Sequence, residues 1–95
     1  MSGIRRLADC AIRLTEKDNV VTALVDMPAG PYALDAGGEA GEVVLPEEIP
    51  AGFKVALAPI VAGAEVVKYG YTIGRARTDI RPGQRVHVHN MASSV

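Results

Sequence analysis

His87 and His89 are the only imidazoles of the chain, two residues apart in 87-HVHN-90. If this stretch is an extended strand, both rings share one face, with Val86, Val88 and Asn90 on the other. Two imidazoles at this spacing can ligate one metal ion, but zinc and iron sites usually take three or four protein ligands. The sequence adds one thiol, Cys10, and few nearby carboxylates: Asp79 precedes a turn and Glu65 belongs to another strand. Two readings stay open. The pair is an incomplete metal site, finished elsewhere in the fold, by a second chain or by a substrate. Alternatively, both rings lie hydrogen-bonded at an edge or interface.

Other polar residues carry the same double reading. Lys68, in 66-VVKYG-70, can hold a substrate carboxylate or simply guard a sheet edge. Arg75 and Arg77 flank Ala76 and can clamp an anionic acid by bidentate bonds, or form a solvated face. Tyr69 and Tyr71 flank Gly70 and are expected on one face as core or interface aromatics. Cys10 is expected as a small apolar residue. No Ser–His–Asp set, phosphate-cradling glycine loop or paired-cysteine motif accompanies them. These residues do not equip the chain as a self-sufficient enzyme.

The elements that must position these groups are short. Ile12 and Leu14 alternate with Ala11, Arg13 and Thr15, the period-2 pattern of a half-buried strand, and 17-KDN-19 reads as a turn. A second strand follows in 20-VVTALV-25, and residues 26–42, rich in glycine and proline, read as loop or short hairpin before 43-VVL-45. Three turns then share the form Ile-x-x-Gly: 49-IPAG-52, 60-IVAG-63 and 80-IRPG-83. Each precedes an apolar or alternating run, in 53–58, 64–70 and 84–90, with a further run in 71–77. The isoleucine can anchor the turn while the glycine adopts backbone angles closed to other residues. Short strands separated by Gly and Pro turns predict a compact, mainly β domain. No helix of ten or more residues shows a 3.6 period; a helix over 3–14 is the weaker alternative.

The sequence of 95 residues predicts one domain over 10–91, with a loose lead-in over 1–9 and a tail over 92–95. A net charge of -1 and scattered basic residues give no electrostatic case for nucleic acid. One cysteine excludes an intrachain disulfide and fits a reducing compartment. The start of the sequence has no long apolar run after its arginines, so neither signal peptide nor membrane span is expected, and the expected location is cytoplasmic.

The run from Lys68 to Asn90 resembles the SAF-type domain of the altronate/galactarate dehydratase family. The resemblance rests on Lys68, Tyr69, Gly70, Ile73, Gly74, Ala76, Asp79, Ile80, Gly83, Val86, His87, His89 and Asn90. The stretches 18-DNVVTAL-24 and 52-GFKVAL-57 resemble two earlier signatures of the family, so the similarity covers about residues 11–90. It implies an all-β, β-clip fold of short strands and Gly/Pro turns. It also implies a small domain fused to, or partnered with, a large catalytic subunit holding a divalent metal, iron or manganese. Such enzymes eliminate water, or sulfite, from hydroxy acids. By position, the resemblance makes His87 and His89 candidate catalytic or metal-binding residues of a shared site, and Lys54, Lys68 and Asn90 candidate substrate-binding residues. One departure stands out: the family usually has Gly-His-Lys where this chain has Gly52, Phe53 and Lys54. A phenyl ring neither ligates metal nor shuttles a proton.

The expectation is therefore a small subunit of a heteromeric hydroxy-acid (sugar-acid) dehydratase or lyase. It would cap the active site of a large metal-containing partner and help bind the acid, within a homo- or hetero-oligomer. The alternative is a non-catalytic binding or oligomerisation module of the same fold. A third and weaker reading is a metalloprotein in which copies of the chain bring His87 and His89 together.

Overall fold

The computed structural model describes residues 5–34 and 41–93. The parts of the lead-in, the long loop and the tail over 1–4, 35–40 and 94–95 lie outside the described residues. Ten short strands occur among those described: β1 (Arg5–Arg6), β2 (Ala11–Ile12), β3 (Val20–Ala23), β4 (Gly30–Ala33), β5 (Glu42–Leu45), β6 (Lys54–Ala56), β7 (Glu65–Lys68), β8 (Tyr71–Ala76), β9 (Arg85–Val86) and β10 (Met91–Ser93). They form three sheets, ordered β2-β3-β6-β9, β1-β4-β5 and β10-β8-β7. The expected all-β domain of short strands is what forms, and the weaker helix is absent among the described residues. Only a 3-10 turn, Leu7–Asp9, lies in that stretch. Within the expected lead-in, Arg5 and Arg6 pair in parallel with Tyr32 and Ala33 of β4.

The four-stranded sheet divides the core in two because its strands alternate apolar residues on both faces. Val21, Ala23 and Val55 face a cluster with Leu7, Cys10, Met27, Tyr32, Leu45 and Ile49. Val20, Ala56 and Val86 face a second cluster with Ile60, Val66, Ile80 and Met91. Cys10 packs as a buried apolar residue, as its surroundings in the sequence predict.

The Ile-x-x-Gly turns are the repeating joint of the fold. Each docks against a five-residue segment that begins with alanine and ends in a large apolar residue: 23-ALVDM-27, 76-ARTDI-80 and 56-ALAPI-60. The turn glycine donates its N–H to that alanine: Gly52 to Ala23, Gly63 to Ala76 and Gly83 to Ala56, each at 2.8 Å. The alanine N–H returns a bond to the residue after the glycine: Phe53 (2.9 Å), Ala64 (2.9 Å) and Gln84 (3.0 Å). In two joints an aspartate adds a staple. Asp26 accepts the Ala51 N–H at 2.9 Å, and Asp79 accepts the Ala62 N–H at 2.8 Å. In the third joint the equivalent donor position is Pro82, which has no N–H, and Pro59 replaces the aspartate. The acceptor is absent where there is no donor to meet it. Ile49, Ile60 and Ile80 are buried beneath these joints, each worth roughly 1.5–3 kcal/mol in apolar burial. Gly83 has a second reason to be glycine: its φ is +91°, and a Cβ there would overlap the Val44 carbonyl oxygen.

Asp18 and Asn19 tie the first strands to the β7–β8 hairpin. The Asp18 carboxylate accepts from the Leu14 N–H (3.1 Å), Thr15 N–H (3.3 Å), Thr15 hydroxyl (2.8 Å) and Gly70 N–H (2.7 Å). The Asn19 amide donates to Glu65 O (2.9 Å) and accepts from the Val67 N–H (2.7 Å), so it completes the edge of β7 as a strand would. The hairpin needs this support. Its turn has φ +56° at Tyr69 and +81° at Gly70, and a non-glycine residue in that region is strained.

Candidate functional site

The stretch 87–90 is a turn, which corrects the expectation of a strand carrying both imidazoles on one face. Strand β9 ends at Val86. The Asn90 and Met91 N–H groups both donate to His87 O, at 3.0 and 2.9 Å. Asn90 closes the turn with its side chain: Oδ1 accepts the His87 N–H at 2.9 Å and Nδ2 donates to Arg85 O at 2.9 Å. These local side-chain bonds compete with the strand ladder and replace it. His87 is partly buried at the base of the turn, Val88 and His89 are exposed on it, and Asn90 is buried. Asn90, expected as a substrate contact, has its amide engaged on both sides by backbone and so acts as the brace of the turn.

His87 lies against Phe53, with ring centroids 4.9 Å apart and planes at 71°. The Arg85 guanidinium sits over the same phenyl ring, 5.3 Å from its centroid. These three residues meet because β6 and β9 are neighbours with Val55 opposite Arg85. Alternation then puts Arg85 on the face of Val55, away from that of Lys54 and Val86.

Lys54 belongs to the opposite face, in a row with Thr22 and Val86. Burial lowers its pKa from the usual lysine value, and the Lys68 charge adds to the shift. Lys68, also partly buried, rests over Tyr69 with Nζ 4.9 Å from the ring centroid. Neither lysine has a carboxylate partner among the described residues. Beside Lys54, Thr22 Oγ1 is buried without a hydrogen-bond partner. The sequence-predicted residues thus fall into two groups, Lys54 with Lys68 and His87 with its turn, on different faces of the central sheet.

The remaining candidates resolve simply. Arg75 pairs with Glu65 at 3.7 Å and donates to Gly63 O at 3.1 Å, and Arg77 is exposed beyond β8, so this face is solvated. Tyr69 and Tyr71 do not share a strand face, because Tyr69 is in the turn and Tyr71 is 76% exposed. A groove of about 470 Å³ opens between Leu7, Ile12, Leu34 and Leu57, with Arg13 and Lys17 also lining it. None of His87, His89, Lys54, Lys68 or Asn90 lines it. Sequence reasoning missed Arg85 entirely. Only the order of strands in the sheet brings it to Phe53, 32 positions earlier.

The donor set among the described residues does not make a metal site by itself. No three His, Cys, Asp or Glu side chains among the described residues are grouped to hold one, and the His87 ring packs on a phenyl. Nor is any helix among the described residues long and apolar enough to cross a membrane.

The chain is 39% identical over 84 residues to altronate dehydratase of Bacillus subtilis (strain 168), which is 88% of this chain and 16% of the relative. Altronate dehydratase of Escherichia coli (strain K12) is 37% identical over the same length and coverage. The (2R)-sulfolactate sulfo-lyase subunit alpha of Paracoccus pantotrophus is 46% identical over 43 residues, covering 45% of this chain and 64% of that subunit. The chain therefore spans about a sixth of the altronate dehydratases it matches. The family model for the altronate/galactarate dehydratase SAF domain matches residues 9–94, nearly the whole sequence, and the chain belongs to that family.

Proposed function

We propose that the chain is the SAF component of a hydroxy-acid dehydratase or lyase and works with a larger catalytic chain or domain. The observation that carries this reading is a charge imbalance at one place in the fold. Lys54 and Lys68 are two partly buried cations close enough to repel, with no acid among the described residues paired to neutralise them. The buried or stapling carboxylates Asp18, Asp26 and Asp79 are all engaged by backbone N–H groups instead. A like-charge pair of this kind is suited to an anionic ligand, and the orphaned Thr22 hydroxyl beside it suits a hydroxyl of the same ligand. A hydroxy acid supplies both groups.

In this reading the braced 87–90 turn offers His89 to the partner's active site, with His87 at its base, and the domain caps that site. The divalent metal belongs to the large partner. The role of this chain is to hold the acid's carboxylate and exclude water while the partner removes the proton and the leaving group. The names of the relatives support the substrate class: altronate is a hydroxy acid, and a sulfo-lyase subunit alpha belongs to an enzyme of more than one subunit.

Phe53 favours a second reading, a binding or assembly module without chemistry, because it places a phenyl where the family pattern has an imidazole. One experiment separates them. The chain is mixed with a large dehydratase-type chain from the same host, and elimination from hydroxy acids is assayed with and without it. We expect activity only in the mixture, a KM at least ten-fold higher for Lys54→Met, and a reduced rate for His89→Ala. A rate indifferent to the presence of this chain would sink the first reading and leave the module.

A further inference from the structure

Arg85 is a described cation that the Lys54–Lys68 site leaves unexplained. It is partly buried, its Nε is shielded from solvent without a hydrogen-bond partner, and no carboxylate or carbonyl among the described residues meets its guanidinium. The other partly buried arginine, Arg13, has Nε on Asp18 O at 3.2 Å and Nη2 on Glu16 O at 3.0 Å. Leaving a partly desolvated guanidinium without an acceptor costs stability. Yet the surrounding structure holds this group firmly. Phe53 stacks beneath it, and the Asn90 amide clamps the backbone on both sides of Val86, at Arg85 O and His87 N–H.

His87 is fixed by the same parts. It touches the same phenyl ring by its edge and hangs from the same asparagine. One apolar platform therefore carries a planar, permanently charged fork and an imidazole, both held before any ligand arrives. A guanidinium fork matches the two oxygens of a carboxylate, an adjacent imidazole can bond a neighbouring hydroxyl, and a phenyl platform keeps water from competing. Arg85 is not among the residues that carry the family resemblance, and Phe53 departs from it. Of the three residues, only His87 belongs to the shared motif.

We propose that Arg85, His87 and Phe53 form a second acid-binding site that takes the carboxylate of a small hydroxy acid through the Arg85 guanidinium. Alternation across β6 and β9 places it on the face of the central sheet opposite Lys54. The inference deepens the proposed function and rests on it only for the kind of acid. It needs no partner chain, so it can fail or stand by itself.

The test titrates the full chain with sodium gluconate, a small polyhydroxy carboxylate, and follows the His87 ring resonances by NMR. Sodium chloride and sodium sulfate at equal ionic strength are the controls. We expect saturable shifts with gluconate, a dissociation constant at least ten-fold weaker for Arg85→Gln, and a partial loss for Arg85→Lys, which keeps charge but loses the planar fork. Folding of each variant is read from amide dispersion in the same spectra; Arg85→Lys serves if Arg85→Gln unfolds. A response equal to that of chloride or sulfate overturns the proposal. So does gluconate binding of unchanged strength in either folded variant.

Discussion

Two polar regions of this small domain are built on opposite principles. Around Asp18 every acceptor is engaged: four donors from two segments converge on one carboxylate, and Asn19 beside it mimics a strand. Around β6 and β9 the reverse holds. Lys54, Lys68 and Arg85 are partly withdrawn from water and meet no acid among the described residues. A saturated polar group is already at its lowest free energy and serves architecture. An unsaturated one raises the free energy of the folded chain and is stabilised when a ligand arrives.

The largest effect should come from breaking the saturated side. Asp18→Ala leaves the Leu14, Thr15 and Gly70 donors without their acceptor and unseats the strained Tyr69–Gly70 turn. We expect about 2–4 kcal/mol of lost stability, measured by urea unfolding. A loss below ~1 kcal/mol would show that water replaces the carboxylate easily.

Acid should break the same region more gently. Burial alone would raise the Asp18 pKa; the bonds from Gly70, Thr15 and Leu14 outweigh it and lower the value from 3.8 to about 2. The folded-state value lies below the unfolded one, so the stabilisation is complete above about pH 4. It is lost as pH falls through about 2, and it amounts to about 1–2 kcal/mol after solvent screening is allowed for. Unfolding midpoints measured from pH 5 to pH 2 check this, with Asp18→Asn as the variant that should lose the slope.

The smallest change in stability belongs to the unsaturated side. Lys54→Met removes a partly buried cation that no group among the described residues neutralises. It should leave stability unchanged or raise it by up to ~1 kcal/mol. A clear destabilisation would mean that Lys54 is structural, and the comparison would lose its point.

The short strands and glycine turns were legible because the pattern that makes them is local. Ile49, Ile60 and Ile80 each sit three residues before a glycine, and all three are buried at the joints. What the joints dock against was not legible, since 23-ALVDM-27 and 49-IPAG-52 are joined only by tertiary bonds. The 87–90 turn was misread for a physical reason: alternating Val and His residues look extended, while Asn90 has a side chain able to bond two backbone groups at once. Lys54 and Lys68 stand out as lysines within otherwise apolar runs, but Arg85 drew no notice because its neighbour Phe53 is fixed by sheet order alone. Asp18 and Asn19 were read as turn formers; their reach to the second half of the chain is invisible in local composition.

That reach has a consequence for synthesis. The partners of Asp18 and Asn19 lie 46 to 52 residues further along. At ribosomal speeds of about 5–20 residues per second, their partners emerge several seconds later. During that interval the nascent amino-terminal strands lack the hairpin that seats them, so the domain closes as a unit only after translation has passed Gly70.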